Sequence, residues 1–136
     1  MGQQQLLLIV LGVIIVGIAV VVGINLFNAN AEESAKDTIV SEATNLGAMA
    51  QQYFKKPTAL GGGGNSFVGF GTTSTPGQVV PANLLTTSSA NYVISGQSTT
   101  NCTITGTPLA ATGYTGWTVV CTVTPTSINA RVVTAS

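Results

Sequence analysis

Twenty-two consecutive residues, Leu6 to Phe27, carry no charge and only one polar side chain, Asn25. As a helix this run would extend ~33 Å, close to the ~30 Å hydrocarbon core of a bilayer. Backbone amides in lipid must be satisfied within their own segment, so a lone apolar run of this length has to be helical there. Whatever else the chain does, it must keep this segment in lipid or bury it against other apolar helices. Glycines interrupt the run at Gly12, Gly17 and Gly23, and β-branched Val and Ile fill most of the rest. Each glycine weakens an isolated helix by ~1 kcal/mol relative to Ala. Each also lets another helix approach closely, as small residues do where membrane helices pack. Their spacings, five and six, do not make a GxxxG repeat.

The run is preceded only by Met1, Gly2 and three glutamines, and the first basic residue is Lys36. A signal peptide or signal anchor takes its orientation from basic residues ahead of the apolar core. None stands there, and NANAEE at Asn28 to Glu33 offers no small-residue cleavage site. The expectation is a mature chain whose orienting charges lay on a removed leader.

A second helical pattern continues from Asn28 to Lys56. Ala35, Ile39, Ala43, Leu46, Ala50 and Tyr53 recur at three- and four-residue steps and trace one apolar stripe. Glu32 and Lys36 stand four apart in the favourable order on another face. Lys55 and Lys56 suit the negative end of a helix dipole, and Pro57 ends the helix. With no proline between Leu6 and Lys56, the reading is one long helix from near Gln3 to near Lys56. A loosened turn is expected around Gly12 to Gly23, and a slight bend at Gly47. Residues 57–136 then form a small β-rich head. Thr58 to Thr75 reads as loop, with GGGG at Gly61 to Gly64 as a flexible or tightly folded connector, because no strand precedes it and no Lys-Ser/Thr follows it. Gln78 to Leu85 reads as a short strand followed by a turn or one helical turn. Strand signals follow at Tyr92–Ser95, Cys102–Thr105, Trp117–Thr124 and Ile128–Thr134, joined by turn-rich spacers. The fold class is α+β: a long N-terminal helix over residues 1–56, apolar over 1–27 and amphipathic over 28–56, packed on a small antiparallel sheet. A sheet this small needs such a helix as a partner.

Charge is scarce and oddly placed. All four acids (Glu32, Glu33, Asp37, Glu42) fall within eleven positions, and beyond Lys56 only Arg131 is charged. A soluble domain is normally about a quarter charged. The sequence also lacks the basic surface that nucleic-acid binding requires, so no nucleic acid is expected as a partner. Thr and Ser supply 26 of the last 80 residues, so hydroxyls take the place of charge in holding the head in water. Cys102 and Cys121, nineteen residues apart in a β-rich exported segment, are expected to form a disulfide worth ~3 kcal/mol in the loop-entropy picture. There is no histidine, hence no usual general base, and no GxSxG elbow. The acids read as a solvated helix face, and no catalytic, cofactor-binding or metal site is expected. Electron transport is unsupported too: the helix offers only Phe27, Tyr53 and Phe54 as aromatics, and no CxxCH haem motif exists. Asn101-Cys102-Thr103 matches the N-glycosylation pattern and marks Asn101 as a candidate acceptor.

An apolar N-terminal helix running into an amphipathic one, followed by a small β domain with a C-terminal disulfide loop, resembles the type IV pilin family. The likeness covers the whole architecture, with its specific motif in the first 25 or so residues. Members begin at their cut site with Phe or Met, here Met1, often N-methylated, after a short basic leader. The resemblance implies a structural subunit of an extracellular helical filament, held in the cytoplasmic membrane before assembly. Its partners would be other copies of itself, a prepilin peptidase and an inner-membrane assembly machinery. The packing positions it implies are Gln5, Leu6, Leu8 and Ile9, then Gly12, Val13, Val16 and Gly17, then Val20, Gly23, Ile24 and Phe27. One departure stands out: most members carry Glu where this chain has Gln5, and a glutamine offsets a neighbour's terminal amine by hydrogen bonding alone. Two alternatives remain open, a minor pilin or pseudopilin of a secretion system, and a membrane-anchored β-domain adhesin.

Overall fold

The computed structural model describes residues 2–71 and 80–134 and comprises two units, Met1–Ser34 and Ala35–Ser136. Helix α1 spans Gly2–Lys55. In the first unit every described residue is helical, straight through Gly12, Gly17 and Gly23. The expected loosened turn is therefore absent. Isolated glycines tax a helix individually, but propagation is cooperative and the intervening Leu, Ile and Val hold the hydrogen-bond ladder.

In the second unit, the rest of α1 packs on a four-stranded antiparallel sheet. The strands are β1 (Ala90–Ser95), β2 (Cys102–Pro108), β3 (Trp117–Val123) and β4 (Ile128–Thr134), in the order β1-β2-β3-β4. This is the meander that hairpin joins favour. A single helical turn, α2 (Ala82–Leu85), precedes β1. It matches the helical-turn option for that stretch, while Gln78, Val79 and residues 72–75 lie outside the described residues. Burial alternates strictly along β2 and β3, as a one-sided sheet requires. The inward residues Ile104, Val119, Cys121 and Val123 are fully buried. They meet Ile39, Ala43, Leu46, Ala50 and Tyr53 of α1, the stripe read from the sequence.

Two close approaches set the helix on the sheet. A Cβ at Gly106 would lie 2.7 Å from Tyr92 Cε1 and 3.0 Å from Ile39 Cγ2, so the missing side chain makes room for the Tyr92 ring. Gly47 is buried, and a Cβ there would fall 2.9 Å from Ile128 Cγ2 and 3.1 Å from Val123 Cγ2. Its role is contact with β3 and β4, where a bend had been expected.

The glycine run turns out to be the tightly folded connector. A helix end leaves its last carbonyls without intrahelical partners. Gly63 N–H donates to Tyr53 O (2.8 Å), Gly64 N–H to Lys56 O (3.0 Å) and Asn65 N–H to Phe54 O (2.8 Å). A Cβ on Gly63 would fall 1.8 Å from Ser66 O, so only glycine lets the chain fold back this closely. Phe67 and Phe70 then drop into the core, Phe67 against Phe54 with ring centroids 4.8 Å apart.

Cys102 and Cys121, the expected disulfide pair, are both buried, as free thiols. The strand register relates the two. Cys102 stands opposite Val123, and Cys121 opposite Ile104, so the cysteines are diagonal neighbours on the inner face. Diagonal positions are typically ~7–8 Å apart, with their Cβ atoms somewhat closer. The head is held by packing on α1.

Candidate functional site

The first unit presents an uninterrupted apolar surface. From Leu6 to Phe27 every large hydrophobic side chain is exposed, from 53% at Leu11 to 73% at Phe27. Monomeric soluble proteins rarely show contiguous apolar patches above a few hundred Å². Length and composition make this segment one that can cross a membrane, and none of it is buried within the chain. The packing positions Leu6, Leu8, Ile9, Val13, Val16, Val20 and Ile24 all lie on it, and Gln5 is exposed one residue before it. Met1 lies outside the described residues. A Cβ built at Gly12, Gly17 or Gly23 meets nothing within 4 Å, so these glycines have no packing role inside the chain. Around Gly17 the surface dips into a shallow apolar notch bordered by Ile14, Ile18, Val21 and Val22. These four were not among the expected packing positions. The signal that could have found them is the one-, three-, four- and five-residue spacing around a helical glycine.

The head holds one polar cluster that the sequence reading missed. Glu42 is half-buried, and its Oε2 accepts hydrogen bonds from the Tyr92 hydroxyl and from Thr87 Oγ1 (3.0 Å). The expectation that all four acids sit on a solvated face is corrected at this residue. Burial first, then the hydrogen bond to Glu42 and its charge, push the Tyr92 phenol well above the ordinary tyrosine range. Thr87 also takes backbone N–H bonds from Ser89 and Ala90, so the cluster ties the start of β1 to α1. A phenol held protonated against a carboxylate that also accepts from Thr87 is a structural clamp.

The remaining candidates are placed separately. Burial, with Cys121 nearby, pushes the Cys102 thiol up to about 11, and burial alone does the same for Cys121. Thiols so shifted stay protonated and unreactive near neutral pH. Asn101 is exposed in the turn before β2, its Oδ1 accepting from Ser98 Oγ at 3.0 Å. The Lys36 ammonium lies 5.6 Å from the centre of the Trp117 ring, within cation–π range. Among the described residues, no three His, Cys, Asp or Glu side chains gather as a metal site. Comparison with known proteins returned no matching family model, no matching curated protein and no matching solved structure.

Proposed function

We propose that this chain is the structural subunit of a type IV pilus-like extracellular filament, polymerising through the apolar part of α1. The observation that carries the reading is the exposed segment Leu6–Phe27 on a chain whose head already has its own complete core. Burying one Val, Ile or Leu side chain gains ~1.5–3 kcal/mol relative to water, so such a segment cannot stand in solvent. A bilayer satisfies it before assembly. After export, a bundle of identical helices is the apolar destination that the chain itself supplies. The head supports the same reading, since its largely uncharged, hydroxyl-rich surface costs little to desolvate between neighbours. The partners are other copies of the chain, with a prepilin peptidase and an inner-membrane assembly machinery acting beforehand.

Electron microscopy of sheared surface fibres, with N-terminal sequencing of their main protein, tests the proposal. A major subunit dominates that material. A minor pilin or pseudopilin would be scarce in it, and an anchored adhesin would remain with the detergent-extracted membranes. Val16→Asp adds a second arm. With no partner charge in the apolar run, it should abolish fibres while membrane-bound protein persists. Fibres at the parental level from Val16→Asp would refute burial of this segment in a bundle.

A further inference from the structure

Within the second unit, α1 carries two charges whose places are related by helix geometry. Asp37 and Lys55, both exposed, are eighteen residues apart. At 3.6 residues per turn this is five full turns, so they share one face at ~27 Å separation. Leu46, nine residues from each, lies two and a half turns away and points to the opposite side, where it is buried in the core. The face bearing the two charges is thus the one turned away from the sheet. Between them it offers Ser41, Thr44, Ala48 and Gln52, all small or neutral. Thr44 turns its hydroxyl back to donate to Val40 O (2.8 Å).

Lys55 has no acid within reach on its own helix. The nearest is Glu42, thirteen residues or ~20 Å away, and its Oε2 is engaged by Tyr92 and Thr87. Asp37 has Glu33 and Ser41 four residues to either side and no cation at the helical neighbour spacings. A neutral strip with an acid at one end and a base at the other complements a second copy of itself.

We propose that Asp37 of one copy pairs with Lys55 of a parallel neighbour displaced by ~27 Å along the helix axis, a contact that fixes this one offset and leaves burial of the apolar segments to neighbours at smaller displacements. The inference rests on the filament reading, which makes neighbouring α1 helices parallel. Parallel helices without displacement would set Asp37 against Asp37 and Lys55 against Lys55. The same two residues therefore favour one offset and oppose the unstaggered one. An exposed pair changes a single association constant by ~fivefold or less. Its use is in selecting register, as charge complementarity does at interfaces generally.

The test uses the full chain in its native host. Asp37→Lys and Lys55→Asp should each lower sheared-fibre yield, relative to membrane-bound protein, by ~threefold or more at low salt. The double exchange should recover most of the loss. Parental fibres with undiminished yield from both single variants would overturn the pairing while leaving the filament reading intact. Absent parental fibres would instead sink the filament reading. A second arm does not depend on yield: Asp37→Cys with Lys55→Cys in one chain, oxidised on intact cells. A staggered parallel array links each copy to one above and one below and gives a ladder of oligomers. Either single cysteine variant should stay monomeric. A band that stops at the dimer, or efficient linking of Asp37→Cys alone, would overturn the proposal.

Discussion

Tyr92→Phe isolates one hydroxyl whose contribution is legible from its surroundings. The Tyr92 ring is buried over Gly106 and survives the substitution, so no cavity opens and packing is retained. What is lost is the bond from the phenol to Glu42 Oε2, leaving that oxygen with Thr87 alone, together with a longer contact to Ile39 O (3.4 Å). Hydrogen bonds to charged groups contribute ~1.5–3 kcal/mol when buried. Glu42 is only half-buried, so water recovers part of that and the expected cost falls to ~1–2 kcal/mol. For a unit near 100 residues, each kcal/mol lowers the melting temperature by ~4–8 °C. Trp117 is the only tryptophan and lies in the head, so its fluorescence in detergent-solubilised full-length protein follows head unfolding alone. Alkaline pH supplies an independent check. The folded Tyr92 phenol is raised, so the unfolded chain releases its proton first, at about pH 10. The parental head must therefore lose stability as pH rises from there, and Tyr92→Phe must remove that part of the slope. A variant with the parental melting temperature and the parental alkaline slope would refute the clamp.

Gly106→Ala should destabilise the head by ~1–3 kcal/mol through overpacking. The loss should shrink when Tyr92 is also truncated to Ala, measured by the same fluorescence melt. Cys102 and Cys121 should resist alkylation in the folded protein near neutral pH and react, two per chain, once it is denatured. Their stabilising contribution is full below about pH 9 and falls as pH rises toward about 11, because the unfolded thiols ionise first. Gly17→Leu fills the notch beside Ile14 and Ile18 and should cut fibre yield without changing the head's melting temperature. An unchanged yield would place Gly17 away from helix contacts.

How much the sequence disclosed depended on the kind of information each feature needs. Local periodicity is written in the chain, so α1, its buried stripe from Ile39 to Tyr53 and the positions of all four strands were readable. Pairing register is not local. Cys102 and Cys121 have a spacing that suits a bridge, but the two-residue offset between Cys121 and Val123, the residue opposite Cys102, belongs to the sheet and appears only once β2 and β3 are aligned. Glu42 shows the same limit on the helix. It adjoins the buried stripe, next to Ala43 and three residues after Ile39. Nothing in the acidic cluster says that a tyrosine fifty residues on will reach it. Gly47 read as a bend because a helical glycine is weak in isolation. Its function depends on Ile128 and Val123, which arrive from the far end of the chain. The apolar segment was legible because its message is compositional, and folding changes nothing about its exposure.

The distribution of charge bears on how copies would meet. Antiparallel sheets leave edges that invite strand-to-strand pairing, and β4 is such an edge, with Val132 and Val133 both 37% exposed. The head's one charged side chain after Lys56 is Arg131, which sits in the middle of that strand. A cation on an edge strand opposes pairing with another copy's edge, because it would have to be desolvated or set against its own kind. The outer face of β2 and β3, by contrast, carries Thr103, Thr105, Thr118 and Thr122, whose hydroxyls can exchange water for a neighbour's groups at small cost. Arg131 stands opposite Val120 and so shares this outer face, but at its β4 border, where a charge opposes uncontrolled edge pairing. On the filament reading, that arrangement leaves association to α1, where the apolar segment would supply the driving force and Asp37 with Lys55 would fix one offset.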